Sequence, residues 1–409
     1  MNQRLLHKTI ESFADKHFST SEELLVHVMH QIVMNDRIQI KGGRVWKLDA
    51  QKGVYELIAQ IGTVEKIKPH FTLKIEEYKV FKQLAQHRTI VAKETNAYLR
   101  SKGILRYSAT GVGELVTVKG HAYYQYILSF NTALDHEQVA PTLNIISIAV
   151  TSLLKNRSIE RRSSQLLKDL DKAREIQRSI LPEHELYFHN YELFGISLAD
   201  RVVGGDFFDY ILSEEKDRLG IVIGDAASKG LSAAVQALYV SGALRMGATY
   251  QTKISTLIRN INSLVNRTFP DDRFLTLFYA ELSNDKQGLC VYVNAGHTSP
   301  IVLRSKTDSI ELLEATGNII GPFPNQMFRS EGIMLAKGDI MLLFTDGVTE
   351  AMDATGHQYS EKRLIDKLRE LKNEKVQTIA RLIIEDVQKF SAKSKYSDDK
   401  TIVVVKRVK

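Results

Sequence analysis

Aspartates stand at the ends of predicted strands throughout the C-terminal half of the chain. Asp206 precedes Phe-Phe, Asp225 follows Ile-Val-Ile-Gly, Asp346 follows Leu-Leu-Phe-Thr, and Asp398-Asp399 precedes Thr-Ile-Val-Val-Val. Two carboxylates about 4 Å apart repel by roughly 4 kcal/mol at an effective dielectric constant near 20, and a whole domain is stable by only about 5–15 kcal/mol. A fold that gathers them therefore needs protons or hard cations, and all-oxygen sites favour Mg²⁺ or Mn²⁺ over zinc.

The length of 409 residues favours two or three domains. The longest apolar stretches, such as residues 144–154, fall short of the roughly 20 residues that span a bilayer. The N-terminus lacks the apolar core of a signal peptide. We therefore expect a cytoplasmic protein without a membrane partner, in which the single cysteine, Cys290, is an inert buried thiol within an alternating strand pattern.

The net charge of +7 is unevenly distributed. Residues 1–185 hold 27 Lys and Arg against 20 Asp and Glu, whereas residues 186–409 hold 28 of each. The basic excess is spread thinly, without a compact run of Lys and Arg or interleaved aromatic residues. Nucleic-acid binding is therefore not expected.

Residues 1–154 alternate between helix and strand patterns. They predict an amphipathic helix over 21–34, a hairpin over 43–58, a strand over 122–130 and a closing helix over 136–154. This order is similar to that of GAF sensor domains, with a PAS-like sensor as the competing interpretation. The resemblance implies a small-molecule ligand of this α/β domain, without identifying it.

Residues 155–184 are polar and favour a helix that Pro182 ends. They predict a linker with an apolar seam whose members are 4, 3, 4 and 3 residues apart: Leu166, Leu170, Ala173, Gln177 and Ile180. This spacing is typical of a coiled coil and predicts a parallel homodimer, while packing on a domain surface is the alternative.

Residues 185–409 predict sheets with helices outside them. Helical patterns cover 232–249, 254–267 and 361–390. The clearest strand patterns are 219–223, 276–282, 289–293, 301–303, 340–344 and 401–405. The turn over 224–230 lacks the spacing of a Walker phosphate loop, so nucleotide binding there is not expected.

Several motifs in this region occur together and in order: Gly-Gly-Asp-Phe-Phe-Asp (204–209), Gly-Asp-Ala-Ala-Ser-Lys-Gly (224–230), Asn-Ala-Gly-His (294–297), Phe-Thr-Asp-Gly-Val-Thr-Glu (344–350) and Asp-Asp-Lys-Thr (398–401). Together they resemble the metal-dependent PPM-type serine/threonine phosphatases, specifically the bacterial SpoIIE and RsbU-like branch. The resemblance covers about residues 165–409. It implies an α/β multidomain protein whose catalytic part is an α-β-β-α sandwich of antiparallel sheets flanked by helices.

The resemblance also implies the site residues. Two Mn²⁺ or Mg²⁺ ions would be held by Asp206, Asp225, Asp346 and Asp398, with Asp399 and Asp209 as adjacent or water-mediated ligands and Ala226 contributing its carbonyl oxygen. His297 and a metal-bound water are the candidates for the acid that protonates the leaving group, with a structural role as the alternative for His297. Arg201 is a candidate phosphate-binding residue, with a plain surface arginine as the alternative.

The implied function is hydrolysis of phosphoserine or phosphothreonine on a signalling protein. By resemblance, the substrate is an anti-sigma-factor antagonist of the STAS type, and the N-terminal sensor regulates the reaction. The alternative is a small-molecule-sensing scaffold with an inactive phosphatase-like domain.

Overall fold

The computed structural model describes residues 18–34, 40–93, 96–131, 136–249, 253–270, 272–394 and 397–409. The chain divides into two compact units, Met1–Gln165 and Leu166–Lys409. The division falls within the predicted linker of residues 155–184, and the predicted boundaries at residues 154 and 184 stay predictions.

The N-terminal unit is built on one antiparallel sheet, sheet I, with the strand order β3-β2-β1-β6-β5-β4. Its elements are α1 (Ser21–Val33), β1 (Gly42–Asp49), β2 (Val54–Gly62), β3 (Thr72–Lys74), α2 (Val80–His87), β4 (Thr89–Lys93), α3 (Ala97–Ser101), β5 (Arg106–Val118), β6 (His121–Asn131) and α4 (His136–Ile180). The predicted first helix, hairpin and strand are confirmed as α1, β1–β2 and β6.

Local sequence explains two of these elements. Helix α1 begins at a capping box, in which Thr20 Oγ1 accepts from the Glu23 N–H and the Glu23 carboxylate accepts from the Thr20 N–H. The hairpin turn is closed by Asp49 Oδ1, which accepts from the backbone N–H groups of Gln51 and Lys52. Gly53 follows with φ of 65°, a conformation that favours glycine.

Sheet I is buried on both faces. Helix α1 and the first turns of α4 cover one face, where Leu25 and Val150 are fully buried. Helices α2 and α3 cover the other face, where Phe81 and Leu99 pack against Trp46. The assignment of this unit to the GAF class stays a prediction.

Helix α4 corrects two predictions. It does not end at residue 154 but continues to Ile180, two residues before Pro182, so the predicted linker belongs to the same helix as the closing helix. The linker contains no glycine or proline before Pro182 that would interrupt it. Within the predicted seam, Leu166 is 61% exposed but Gln177 is buried, so the seam residues do not share one environment.

The C-terminal unit contains two antiparallel sheets, sheet II with the order β15-β12-β11-β10-β9 and sheet III with the order β14-β13-β16-β17-β8-β7. The strands are β7 (Glu185–Phe188), β8 (Tyr191–Leu198), β9 (Phe207–Leu212), β10 (Arg218–Ala226), β11 (Leu275–Ser283), β12 (Leu289–Ala295), β13 (Ile301–Leu303), β14 (Ile310–Leu312), β15 (Glu331–Met334), β16 (Ile340–Phe344) and β17 (Lys400–Arg407). The helices are α5 (Leu231–Ala248), α6 (Ile254–Thr268), α7 (Asp346–Thr349), α8 (Glu361–Leu371) and α9 (Val376–Ser391).

These elements form the predicted four layers. Along β17, Val403 packs between the two sheets, whereas Val404 packs under α8 and α9. Along β10, Ile221 faces the core between the sheets, whereas Val222 packs under α5 and α6. Both faces of these central strands are buried, and their sequences are therefore continuous apolar runs.

Two further predictions are resolved in this unit. The single helix predicted over residues 361–390 is wrong, because α8 and α9 are separated by a turn that lets Leu368 and Ile383 both pack on sheet III. Cys290 is fully buried between the sheets, and burial raises the pKa of its thiol to about 12, as expected for an inert thiol. Within the described ranges, no helix combines the length and apolar character needed to cross a bilayer.

Candidate metal and phosphate site

The strand ends that carry the aspartates meet at one edge of the sandwich. In sheet II, Phe207 at the start of β9 pairs with Gly224 near the end of β10. In sheet III, Phe344 at the end of β16 pairs with Ile402 near the start of β17. Antiparallel pairing therefore brings Asp206 next to the Asp225 end of β10, and Asp346 next to the strand preceded by Asp398 and Asp399.

A buried hydrogen bond connects the two sheets at this edge. The Thr345 hydroxyl donates to Asp206 Oδ2 at 2.7 Å, and the same hydroxyl oxygen accepts from the Thr401 N–H at 3.0 Å. Asp206 is 4% exposed. Thr345, which was not among the predicted site residues, therefore fixes the position of a buried carboxylate. Its place in the Phe-Thr-Asp-Gly motif is the signal that could have identified it.

Asp399 holds the loop that leads into β9. Its Oδ1 accepts from the Asp200 N–H at 2.8 Å, and its Oδ2 accepts from the Gly205 N–H at 2.6 Å. A Cβ atom at Gly204 would lie 2.5 Å from Asp399 Oδ2, and one at Gly347 would overlap the Asp399 carbonyl oxygen. Glycine is therefore required at both positions by close packing against Asp399.

A cleft of about 280 Å³ opens at this edge. Its basic lining residues are Arg201 and Lys229, and its acidic lining residues are Asp200, Asp225, Asp346, Asp398 and Asp399. Ala226 also lines the cleft, as its predicted role requires. Asp206 is not among the lining residues, but it is close enough to Asp225 for the two carboxylates to repel each other.

Burial and mutual repulsion leave the carboxylates poorly compensated. Burial, followed by the charge of Asp225, holds the pKa of Asp206 well above its usual range. Burial and the charge of Asp346 raise the pKa of Asp225 to about 7. Burial and the charge of Glu350 raise the pKa of Asp346. A neutralising cation in this cleft would relieve this repulsion.

The donor chemistry fits hard divalent ions. Within the described ranges, no three His, Cys, Asp or Glu side chains are already close enough to enclose an ion. Lys229 Nζ instead lies 2.8 Å from Asp398 Oδ2, and this ion pair supplies part of the missing positive charge. The remaining donors are carboxylate and backbone oxygens, which Mg²⁺ and Mn²⁺ prefer.

Asp209 is not brought into the cleft. It is 1% exposed, and Arg245 donates to both of its carboxylate oxygens, with 2.9 Å between Arg245 Nη2 and Asp209 Oδ1. Ser241 also donates to Asp209 at 3.3 Å. These contacts argue against Asp209 as an adjacent or water-mediated ligand, because its oxygens are engaged beneath α5, and that ligand role stays a prediction.

His297 does not line the cleft either. Its Nδ1 atom lies 2.8 Å from the Thr276 hydroxyl, and its backbone N–H donates to Asn294 Oδ1 at 2.8 Å. Burial lowers the pKa of His297 to about 4, so the ring is neutral near pH 7. This arrangement argues against His297 as the acid for the leaving group and favours the structural alternative.

Gln177 connects helix α4 to the loop that carries Asp206. Its Nε2 donates to the Gly204 carbonyl oxygen at 2.7 Å, and its Oε1 accepts from the Gly204 N–H at 3.3 Å. A second connection joins the end of α4 to Arg245, which donates to the Ile180 carbonyl oxygen at 2.8 Å. The sequence signal for Gln177 is a polar residue in an otherwise apolar seam.

A sandwich of two antiparallel sheets flanked by helices, with carboxylates from both sheets at one edge, defines a phosphatase domain of the PP2C (PPM) class. Residues 215–408 match the family described as Stage II sporulation protein E (SpoIIE). This part of the chain belongs to the SpoIIE family, and the resemblance inferred from its motifs is confirmed.

Comparisons with individual proteins agree with this assignment. The chain is 25% identical over 256 residues to "Phosphoserine phosphatase RsbU" of Bacillus subtilis (strain 168), a match that covers 62% of this chain and 74% of RsbU. It is 26% identical over 242 residues to "Phosphoserine phosphatase RsbP" of the same organism, covering 58% of this chain and 57% of RsbP. Among solved structures, the SiaA-PP2C domain of Pseudomonas aeruginosa has a TM-score of 0.53 at 20% identity, covering 60% of this chain and 98% of that domain. The last comparison supports the fold.

Proposed function

We propose that this chain is a metal-dependent protein-serine/threonine phosphatase. The observation that carries the proposal is the convergence of strand-end aspartates from both sheets on one cleft that also holds Arg201. Phosphate monoesters are dianions near neutral pH, so a cleft lined only by carboxylates would repel them. Divalent cations between the carboxylates and the substrate resolve this conflict.

The proposed ligands of two Mn²⁺ or Mg²⁺ ions are the side chains of Asp206, Asp225, Asp346 and Asp398, the Ala226 carbonyl oxygen and the neighbouring Asp399. Two such metal ions, when bound, would stabilise negative charge on the phosphoryl oxygens and would lower the pKa of the water that attacks phosphorus.

The chain's own residues would position these ligands and the substrate. Thr345 orients Asp206 through the bond at 2.7 Å, and Asp399 holds the backbone of the Gly205 loop. Arg201 is exposed at the cleft and is proposed to bind the phosphate of the incoming substrate.

We propose phosphoserine or phosphothreonine on a signalling protein as the substrate, specifically an anti-sigma-factor antagonist of the STAS type. Two relatives named phosphoserine phosphatases support the proposed chemistry. The N-terminal sensor would regulate the reaction, since α4 belongs to the sensor at its start and bonds the Gly204 loop near its end.

We also propose that the active form is a homodimer joined along α4. Leu166 and Ile176 are 61% and 57% exposed on this helix, although Gln177 of the predicted seam faces the catalytic unit. Sedimentation equilibrium should find a dimer at micromolar concentration that Leu166→Glu with Leu170→Glu dissociates. A wild-type monomer with full, regulated activity would contradict the dimer.

The decisive experiment measures phosphate release from a phosphorylated STAS-domain protein with Mn²⁺, with Mg²⁺ and with chelator. Asp225→Asn and Asp346→Asn should each lower turnover by at least about 1,000-fold, because ions of this kind supply several kcal/mol to the transition state. Asp217→Asn is the matched control, since Asp217 is exposed just before the other end of β10.

Circular dichroism should show that all three variants are folded. Undiminished turnover in Asp225→Asn or Asp346→Asn would refute the site assignment. Absence of turnover in the wild type with any metal and phosphoprotein would favour the inactive-scaffold alternative.

A further inference from the structure

The N-terminal unit contains a cavity between sheet I and helices α2 and α3. Its free volume is about 40 Å³, room for about three water-sized molecules. Most of its wall is aromatic or aliphatic, including Trp46, Tyr78, Phe81, Leu84 and Ile127. The wall also includes two polar residues, Arg44 and Ser129.

Arg44 is an unusual residue for such a wall, because a guanidinium group is always charged and is rarely buried. It is 3% exposed. Its Nη1 donates to Asn131 Oδ1 at 3.0 Å, and its Nη2 donates to the Glu65 carbonyl oxygen at 2.6 Å. Both of these acceptor atoms are neutral, and the charge of the Glu65 carboxylate partly compensates the guanidinium. Within the described ranges its buried Nε has no hydrogen-bond partner.

A buried cationic N–H group without an acceptor is costly, so a water, an ion or a ligand in the adjoining cavity is expected to supply the acceptor. Ser129 offers a second polar contact in the same wall. Its hydroxyl oxygen accepts from Trp46 Nε1 at 2.9 Å, which leaves the hydroxyl proton available for donation. The cavity thus presents two donors on one side and apolar surface elsewhere.

We propose that this cavity binds a small organic acid, a monocarboxylate with a compact apolar body. The carboxylate would accept from Arg44 Nε and from the Ser129 hydroxyl, and the body would pack against Phe81 and Leu84. A cation would be repelled by Arg44, and a large or strongly polar anion would not match the small apolar remainder of the wall. The site is independent of the phosphatase chemistry.

The single tryptophan of the chain, Trp46, lies in the cavity wall, so its fluorescence reports directly on occupancy. The full-length protein is titrated with acetate, propionate and butyrate up to about 10 mM. At least one acid should change Trp46 fluorescence saturably and raise the melting temperature. The matching neutral amide, such as propionamide for propionate, should bind at least about 10-fold more weakly, because it cannot form the charge-assisted bond.

Two variants locate the site. Ala109→Leu fills the cavity, since Ala109 is buried in its wall, and should abolish binding of the acid while Arg44 remains in place. Arg44→Lys keeps the charge but removes Nε, so the affinity for the acid should fall by about 10-fold or more while the affinity for the amide is unchanged. Lys82→Gln removes an exposed charge from α2 and is the matched control, with no change expected.

The absence of any saturable response to these acids would overturn the proposal, as would equal affinity for acid and amide. Retained binding in folded Ala109→Leu would also overturn it, because the acid would then bind elsewhere. If either variant fails to fold, the comparison of acid and amide in the wild type still decides the question.

Discussion

Protonation of His297 should cost the folded protein roughly 3 kcal/mol, and this cost separates a structural role from a catalytic one. The ring is 5% exposed and lies against Thr276. Burial lowers the pKa of His297 from 6.5 to about 4. Because one pKa unit corresponds to 1.36 kcal/mol, a shift of about 2.5 units gives this figure.

The sign of the pH dependence follows from the lowered pKa. The unfolded chain takes up the proton at higher pH than the folded chain, so the stabilising contribution is complete above about pH 6.5. It is lost progressively as the pH falls towards 4. Between pH 7 and 4.5 the wild type should therefore lose roughly 2–3 kcal/mol more of its unfolding free energy than His297→Gln does.

The assay is an NMR titration of the imidazole Cε1–H signals, in which His297→Gln identifies the relevant resonance. That resonance should not move between pH 8 and 5.5. Urea unfolding of both proteins at pH 7 and 4.5 then measures the stability difference. The reasoning is refuted if the resonance titrates near pH 6.5, or if folded His297→Gln loses phosphatase turnover more than about 100-fold with a changed pH profile.

Two further variants test the contacts around the cleft. Gln177→Ala removes both side-chain hydrogen bonds to Gly204, which contribute about 1–1.5 kcal/mol, so the half-saturating Mn²⁺ concentration should rise by about 5- to 10-fold. Glu175→Gln, at an exposed position of the same helix, is the control. An unchanged half-saturating Mn²⁺ concentration in Gln177→Ala would show that Gln177 does not position the metal site. Lys229→Met removes the ammonium group that pairs with Asp398, so the half-saturating Mn²⁺ concentration should fall by up to about 5-fold, since partly exposed pairs contribute at most about 1 kcal/mol. Arg201→Gln, which removes a cation proposed to bind phosphate, should instead raise KM for the phosphoprotein. A lower half-saturating Mn²⁺ concentration with an unchanged KM would exclude phosphate binding by Arg201.

The sequence predicts the strand-end aspartates well because burial on both faces makes each central strand a continuous apolar run. Asp225 and Asp346 come directly at the ends of such runs, and antiparallel pairing then places them at one edge. Pairing partners themselves depend on contacts between residues distant in the chain. The edge strands of both sheets have short or mixed patterns, so the sequence does not identify them as strands.

The position of Asp209 outside the cleft has a physical cause that the sequence already contains. Residues three apart on a strand point to opposite faces, so Asp206 and Asp209 cannot both reach the same cleft from a regular β9. Asp209 pairs with Val222, which packs beneath α5 and α6, and there Arg245 neutralises it. Spacing within the motif predicts a common role for the two aspartates, whereas the period of the strand places them on opposite faces.

The loop that leads into β9 receives restraints from three separate elements. Helix α4 holds Gly204 through Gln177, the start of β17 holds Gly205 through Asp399, and the end of β16 holds the Asp206 carboxylate through Thr345. The last two restraints lie within the catalytic sandwich and are fixed by its sheets. The first depends on a helix that begins in the N-terminal unit at residue 136 and ends at residue 180. A signal that alters the order or rotation of α4 would therefore act on the backbone next to a proposed metal ligand without rearranging either sheet.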